Sequence, residues 1–142
     1  PENYRDFHPG GMLGAILSTV EDLMHKAEDL PLVGPEAPMS EVLLEITSKN
    51  FGLAGVVDQD GGLIGVITDG DLRRNMGDLM HRTAGEVMTA DPQTIKPTAL
   101  ASAAVAQMNR GTNITKLFVL EEGSRVPVGI VSIHDCLRVG LG

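Results

Sequence analysis

Gly65-Val-Ile-Thr-Asp-Gly-Asp-Leu-Arg-Arg74 runs from an apolar strand through a tight polar turn into a helix. It gathers free backbone N–H groups, the Thr68 hydroxyl, the carboxylates of Asp69 and Asp71 and the guanidiniums of Arg73 and Arg74. The same order of chemistry returns in Gly129-Ile-Val-Ser-Ile-His-Asp-Cys-Leu-Arg138. Gly65 falls on Gly129, Thr68 on Ser132, Asp71 on Asp135 and Arg74 on Arg138, each pair 64 positions apart. An internal repeat of that offset divides the 142 residues into two subdomains of roughly 60 to 70 residues, each marginal as an independent fold.

Working outward, the repeat extends to both ends of each unit. Thr19 to Asp22 and Thr83 to Glu86 each place a carboxylate three residues after a hydroxyl, the sequence form of a capping box at a helix start, and each precedes a methionine, Met24 or Met88. Next come the proline-bounded extended segments Leu30 to Val33 and Gln93 to Lys96, expected as edge strands. Met39 to Asn50 and Ala99 to Arg110 carry apolar residues at helical spacing. Leu53 to Val57 and Leu117 to Leu120 are short apolar runs followed by acidic, glycine-containing turns, and a third run, Leu63 to Ile67 or Val128 to Val131, leads into the opening motif. That third run lacks polar alternation, so burial on both faces is expected. Each unit therefore reads as strand, helix, strand, strand, helix after a short linker helix. The fold class is α+β, with a tail over residues 1–17, a first unit over 18–80 and a second over 81–142.

Composition narrows the function classes. A formal charge of −8 and a pI near 4.8 oppose a phosphate backbone, and no cluster of Lys and Arg offsets them, so nucleic acid is not an expected partner. Three Phe, one Tyr and no Trp leave the core to aliphatics and Met. The single cysteine, Cys136, excludes an intrachain disulfide and lies in an apolar stretch that favours burial. No apolar run approaches the roughly 18 residues of a membrane span and no signal peptide is evident, so a cytoplasmic location is expected. His8, His25, His81 and His134 show no ligand spacing with one another or with Cys136, so no metal is expected.

Two readings fit the motif. A hydroxyl at a helix N-cap with an Asp at the third helical position is itself a capping box, and an acidic first turn suits the helix dipole. The same geometry also serves a ligand. A helix start and a hydroxyl hold a phosphate or a sugar hydroxyl, and a carboxylate takes the two vicinal hydroxyls of a ribose. On that reading Thr68, Asp71, Ser132 and Asp135 carry the contacts, while Arg73 and Arg74 either serve anionic groups or remain solvated helix arginines. His134, inside the second motif, is either a neutral hydrogen-bonding partner or a surface residue.

Two units of this element order, each closing on the Gly, Thr or Ser, and Asp of the motif, resemble a tandem cystathionine-beta-synthase (CBS) domain pair over about residues 18 to 141. The resemblance implies a Bateman module, in which two β-α-β-β-α units pack about a pseudo-twofold axis and two clefts bind adenosyl or other nucleotide ligands. It implies ribose contacts by Asp71 and Asp135, with Thr68 and Ser132 beside the phosphate or ribose. It further implies clefts lined by Val33, Gly34, Ala54, Gly55, Thr94, Ile95, Thr115 and Lys116. Asp69, Gly70 and Arg73 stand against Ile133, His134 and Leu137, so the two sites are not interchangeable.

His8-Pro-Gly-Gly-Met-Leu-Gly14 followed by such a pair is similar to the C-terminal part of bacterial arabinose-5-phosphate isomerases, which join a sugar-isomerase (SIS) domain to a CBS pair. This resemblance implies aldose-ketose isomerisation in the parent chain, on the route to 3-deoxy-D-manno-octulosonate (Kdo) of lipopolysaccharide or capsule, with His8 a remnant of the catalytic region. His8 alone has no phosphate pocket or partner base, so catalysis is not expected of this chain. The function expected is regulatory binding of a nucleotide or nucleotide-sugar, with CMP-Kdo the pathway's activated end product and AMP, ADP or ATP the generic ligands. No cofactor is required. The alternative is a structural module whose clefts stay empty. The SIS domain is the expected partner, and a homodimer of pairs within a larger homo-oligomer follows from either reading.

Overall fold

The computed structural model describes residues 17–110 and 114–138. His8 and the tail motif around it lie outside the described residues.

Both units build the expected elements. In chain order, α1 (Val20–Leu23) precedes β1 (Leu32–Val33), α2 (Met39–Lys49), β2 (Ala54–Val57), β3 (Leu63–Ile67) and α3 (Asp69–Arg74). Then α4 (Ala84–Val87) leads to β4 (Thr89–Ala90), β5 (Thr94–Ile95), α5 (Ala101–Asn109), β6 (Lys116–Leu120), β7 (Pro127–Ser132) and α6 (Ile133–Cys136). One sheet has the order β1-β2-β3-β4 and the other β5-β6-β7. The proline-bounded β1 and β5 stand at sheet edges, each parallel to its neighbour, where a missing N–H is tolerated.

Local chemistry sets the element ends. Thr19/Asp22, Thr68/Asp71, Thr83/Glu86 and Ser132/Asp135 all form capping boxes, so both linker helices and both motif helices start as their sequences specify. Helix α2 stops at Asn50, whose φ of 65° is left-handed and whose N–H donates to the Ile46 carbonyl, a conformation Asn accepts more readily than most residues.

The compact units cross the boundaries of the repeat. One gathers the described residues of Pro1–Lys26, Thr94–Glu122 and Val128–Gly142; the other holds Ala27–Gln93 and Gly123–Pro127. The linker helix ahead of the first repeat thus packs with the second, whose core joins Val20 to Ala101, Ala104, Met108, Leu117, Val119 and Val131. The linker helix ahead of the second repeat packs with the first, where Ala84 and Val87 join Met39, Val42, Ala54, Val56 and Ile67. Buried backbone bonds fix both exchanges: Val20 N–H donates to the Ala99 carbonyl and Ala84 N–H to the Ala37 carbonyl.

Two features differ from expectation. Strand β3 is not buried on both faces; Leu63, Gly65 and Ile67 are buried while Ile64 and Val66 are half-exposed, the alternation of an antiparallel strand packed mainly on one side. Strand β7 fits the expectation better, being buried at all positions but Val128. In addition, a strand absent from the sequence reading, β4, pairs with β3 through Gly65↔Ala90 and Val66↔Thr89. Its two exposed residues, Thr and Ala, carry no apolar alternation, so it is created by the tertiary pairing alone.

Candidate functional site

Each motif turns a strand end into a helix start, and its Asp is nearly inaccessible: Asp71 is 3% exposed and Asp135 4%. The capping box explains the direction of each carboxylate. Thr68 N–H and Oγ1 donate to Asp71 Oδ2 at 2.9 and 3.1 Å, and Ser132 N–H and Oγ donate to Asp135 Oδ2 at 2.9 Å each. Ser132 Oγ also accepts the Asp135 N–H at 3.1 Å.

The other carboxylate oxygen faces two further donors. Arg74 Nη2 approaches Asp71 Oδ1 to 2.6 Å, as Arg138 Nη2 approaches Asp135 Oδ1 to 2.6 Å, both from largely exposed side chains. Thr89 Oγ1 donates to Asp71 Oδ1 at 2.6 Å, and the His25 Nε2 lies 3.1 Å from Asp135 Oδ1 and 3.2 Å from its Oδ2. Thr89 and His25 occupy matching places, since the Thr89↔Val66 pair of one unit recurs as the His25↔Ile130 bridge of the other. Among the described residues, no buried side-chain nitrogen or oxygen lacks a partner.

These surroundings decide ionisation. Burial pushes the Asp71 carboxyl up, but hydrogen bonds from Thr89, the Thr68 backbone, Arg74 and the Thr68 hydroxyl outweigh it and leave the group below its ordinary value. Burial likewise opposes ionisation at Asp135, where the Ser132 backbone, His25 and the Ser132 hydroxyl win. Both are carboxylates at neutral pH, able to accept hydrogen bonds and not to donate them.

The remaining sequence candidates separate into three groups. Val33, Ala54 and Ile95 are buried core residues. Thr115 is exposed, yet its carbonyl accepts the Ile133 N–H at 2.8 Å, which brings it to the start of α6; Lys116, half-buried, follows it at the head of β6. Asp69, Arg73 and His134 are exposed, and Arg73 Nη1 pairs with Asp69 Oδ2 at 3.1 Å away from the buried carboxylates. Sequence reasoning missed His25 and Thr89. A signal existed, because each follows the repeated methionine, Met24 or Met88, at the same offset of 64 as the motifs.

Among the described residues, no group of three or more His, Cys, Asp and Glu is placed to hold a metal ion, and no helix is long and apolar enough to cross a membrane. A family model described as "CBS domain" matches twice, over residues 20–78 and 84–142. The chain belongs to the CBS domain family. Its CBS pair is 39% identical over 144 residues to arabinose 5-phosphate isomerase KdsD of Pseudomonas aeruginosa, covering 99% of this chain and 44% of that protein. It is 36% identical to KdsD of Escherichia coli K12, covering 99% and 43%, and 35% identical to the uncharacterized protein RP505 of Rickettsia prowazekii, covering 99% and 43%. The chain thus spans less than half the length of these relatives. Among solved structures, the CBS pair of MJ0100 in complex with 5′-methylthioadenosine and S-adenosyl-L-methionine superposes with a TM-score of 0.76 at 24% identity, covering 87% of this chain and 95% of that one. CBSX2 in complex with AMP gives 0.74 at 22%, covering 87% and 96%. At these identities the likeness establishes the α+β CBS-pair fold.

Proposed function

We propose that this CBS pair is the regulatory module of a cytoplasmic D-arabinose-5-phosphate isomerase and binds a nucleotide or nucleotide-sugar through Asp71 and Asp135. The observation that carries the reading is the duplicated buried carboxylate, ionised and set at a strand-to-helix turn in a chain 36–39% identical to KdsD proteins. An ionised carboxylate is the acceptor that vicinal ribose hydroxyls require. The nucleotide-bound relatives MJ0100 and CBSX2 support the ligand class. CMP-Kdo suits end-product control: its cytidine ribose would meet Asp71 or Asp135, with Thr68 or Ser132 beside it, and its acidic sugar would meet Arg73, Arg74 or Lys116. The adenine nucleotides AMP, ADP and ATP are the competing ligands. Regulation follows if the ligand binds two arrangements of the module unequally and so biases an attached SIS domain.

The test is calorimetry and thermal shift with CMP-Kdo, CMP, AMP and ATP on the wild-type chain, Asp71→Ala and Asp135→Ala. Heat and stabilisation in the wild type, reduced in the variants, are expected; silence with all four ligands would remove the sensor reading. A second reading is favoured by the hydrogen bonds that both carboxylates accept from the protein's own groups: the pair holds subunits together and binds nothing. It requires a homo-oligomer in ligand-free native mass spectra that dissociates when the pair is mutated, together with silence in the ligand panel.

A further inference from the structure

In each motif the two carboxylate oxygens are held by different kinds of partner. Oδ2 holds the first turn of its own helix through the N-cap N–H and hydroxyl, so withdrawing it would open that helix start. Oδ1 is held instead by an arginine on an exposed stem and by one residue remote in sequence: Thr89, 18 positions from Asp71, and His25, 110 positions from Asp135. We propose that Thr89 and His25 are closing groups for the two motif carboxylates, occupying on Oδ1 the place that a ligand's vicinal hydroxyls take when they bind. The inference rests on the reading of the motifs as ribose contacts and names the residues that set how readily each is entered.

The backbone is built to seat these closing groups. Gly65 is covered by the dipeptide Met88-Thr89 and Gly129 by Met24-His25. A Cβ on Gly65 would stand 2.4 Å from Met88 Sδ and 2.9 Å from the Thr89 carbonyl oxygen, and one on Gly129 would stand 2.4 Å from Met24 Sδ and 3.0 Å from the His25 carbonyl oxygen. Only glycine lets the segment approach so closely. The His25 N–H and carbonyl are also both bonded to Ile130, at 2.8 and 2.9 Å, so the ring is delivered to Asp135 by a fixed backbone. The closing side chains can therefore swing off Oδ1 while the segments bearing them stay docked.

The closing groups differ. Thr89 presents a small rotating hydroxyl and His25 a ring that reaches both carboxylate oxygens, so the two motifs offer a ligand unequal competition. A residue that merely supports the site would, when truncated, weaken binding. A closing group has the opposite sign: its loss lowers stability and tightens binding, since the ligand no longer replaces an existing hydrogen bond.

The experiment is calorimetry with CMP-Kdo, CMP, AMP and ATP on the wild-type chain, Thr89→Val, Thr89→Ser and His25→Ala, with a melting curve for each. Thr89→Val keeps the shape and loses the hydroxyl; Thr89→Ser keeps the hydroxyl. The expected result is binding about 13- to 160-fold tighter in Thr89→Val and His25→Ala, the competition of one hydrogen bond to a charged acceptor, at a lower melting temperature, with Thr89→Ser like the wild type. Binding seen only in the opened variants supports the same conclusion. Unchanged or weaker binding in both, with Asp71→Ala and Asp135→Ala reducing it, overturns the closing role and leaves the ribose contacts standing. No binding by any of these proteins overturns both.

Discussion

His25 Nε2 sits 3.1 Å from Asp135 Oδ1 across 110 residues of sequence, in the place that Thr89 takes beside Asp71 in the other unit. The segment ahead of the first repeat thereby completes the second motif, and the segment ahead of the second completes the first. Each motif carboxylate consequently supports the fold.

Asp135→Ala and Asp71→Ala should each destabilise the chain by about 1–3 kcal/mol, because each leaves an N-cap N–H and a remote donor without their acceptor. Urea unfolding followed by circular dichroism measures this, and it sets the baseline against which ligand losses in the same variants are judged.

Acid should weaken the fold through the same groups. Both folded-state carboxyls lie below the ordinary value of 3.8, so their contribution is fully present above the unfolded-state value and is lost as pH falls through the folded-state value. Asp22, Asp78 and Glu122 are also lowered but exposed, and solvent screening leaves them little weight. The urea midpoint should fall on acidification from about pH 5 to pH 3, and the fall should be shallower in an Asp71→Asn, Asp135→Asn double variant.

Gly65→Ala and Gly129→Ala should each cost about 1–3 kcal/mol, because the added methyl meets a methionine and, immovably, a backbone carbonyl. Gly77→Ala is the control. A Cβ there meets nothing within 4 Å, so its melting temperature should stay unchanged or rise slightly as the unfolded chain loses freedom.

Cys136 should react with a thiol reagent only through opening of its unit. It is fully buried, and burial together with the adjacent Asp135 charge pushes its thiol up. Labelling under native conditions should be slow, rise with urea, and accelerate in Asp135→Ala.

Arg73→Ala should change stability by less than about 0.5 kcal/mol, since its i,i+4 pair with Asp69 is solvent-exposed on both sides. A measurable loss of nucleotide affinity in that variant, with stability intact, would assign Arg73 to the ligand.

Much of the fold was legible because its signals are local. The capping boxes at Thr19, Thr68, Thr83 and Ser132, the prolines beside β1 and β5 and the helical spacing of α2 and α5 act within a few residues of themselves. Strand β4 was not legible, since Thr89-Ala90 has no strand pattern of its own and is extended by pairing with β3. The site divided in the same way. Thr68, Asp71, Ser132 and Asp135 stand out by repetition, whereas Val33, Ala54 and Ile95 carry side chains whose burial the sequence alone does not distinguish from lining a cleft.

The sequence by itself determined the duplication, the α+β order of elements and the ionisable groups of each motif, because helix starts, turns and repeats are written in neighbouring residues. Tertiary structure alone decided that the linker helices exchange units, that Gly65 and Gly129 lie under methionines, and that Thr89 and His25 complete the carboxylates of Asp71 and Asp135. The last of those relations joins residues 18 and 110 positions apart. They arise from burial, which makes an unpaired carboxylate oxygen costly and so recruits whichever donor the packed chain brings within reach.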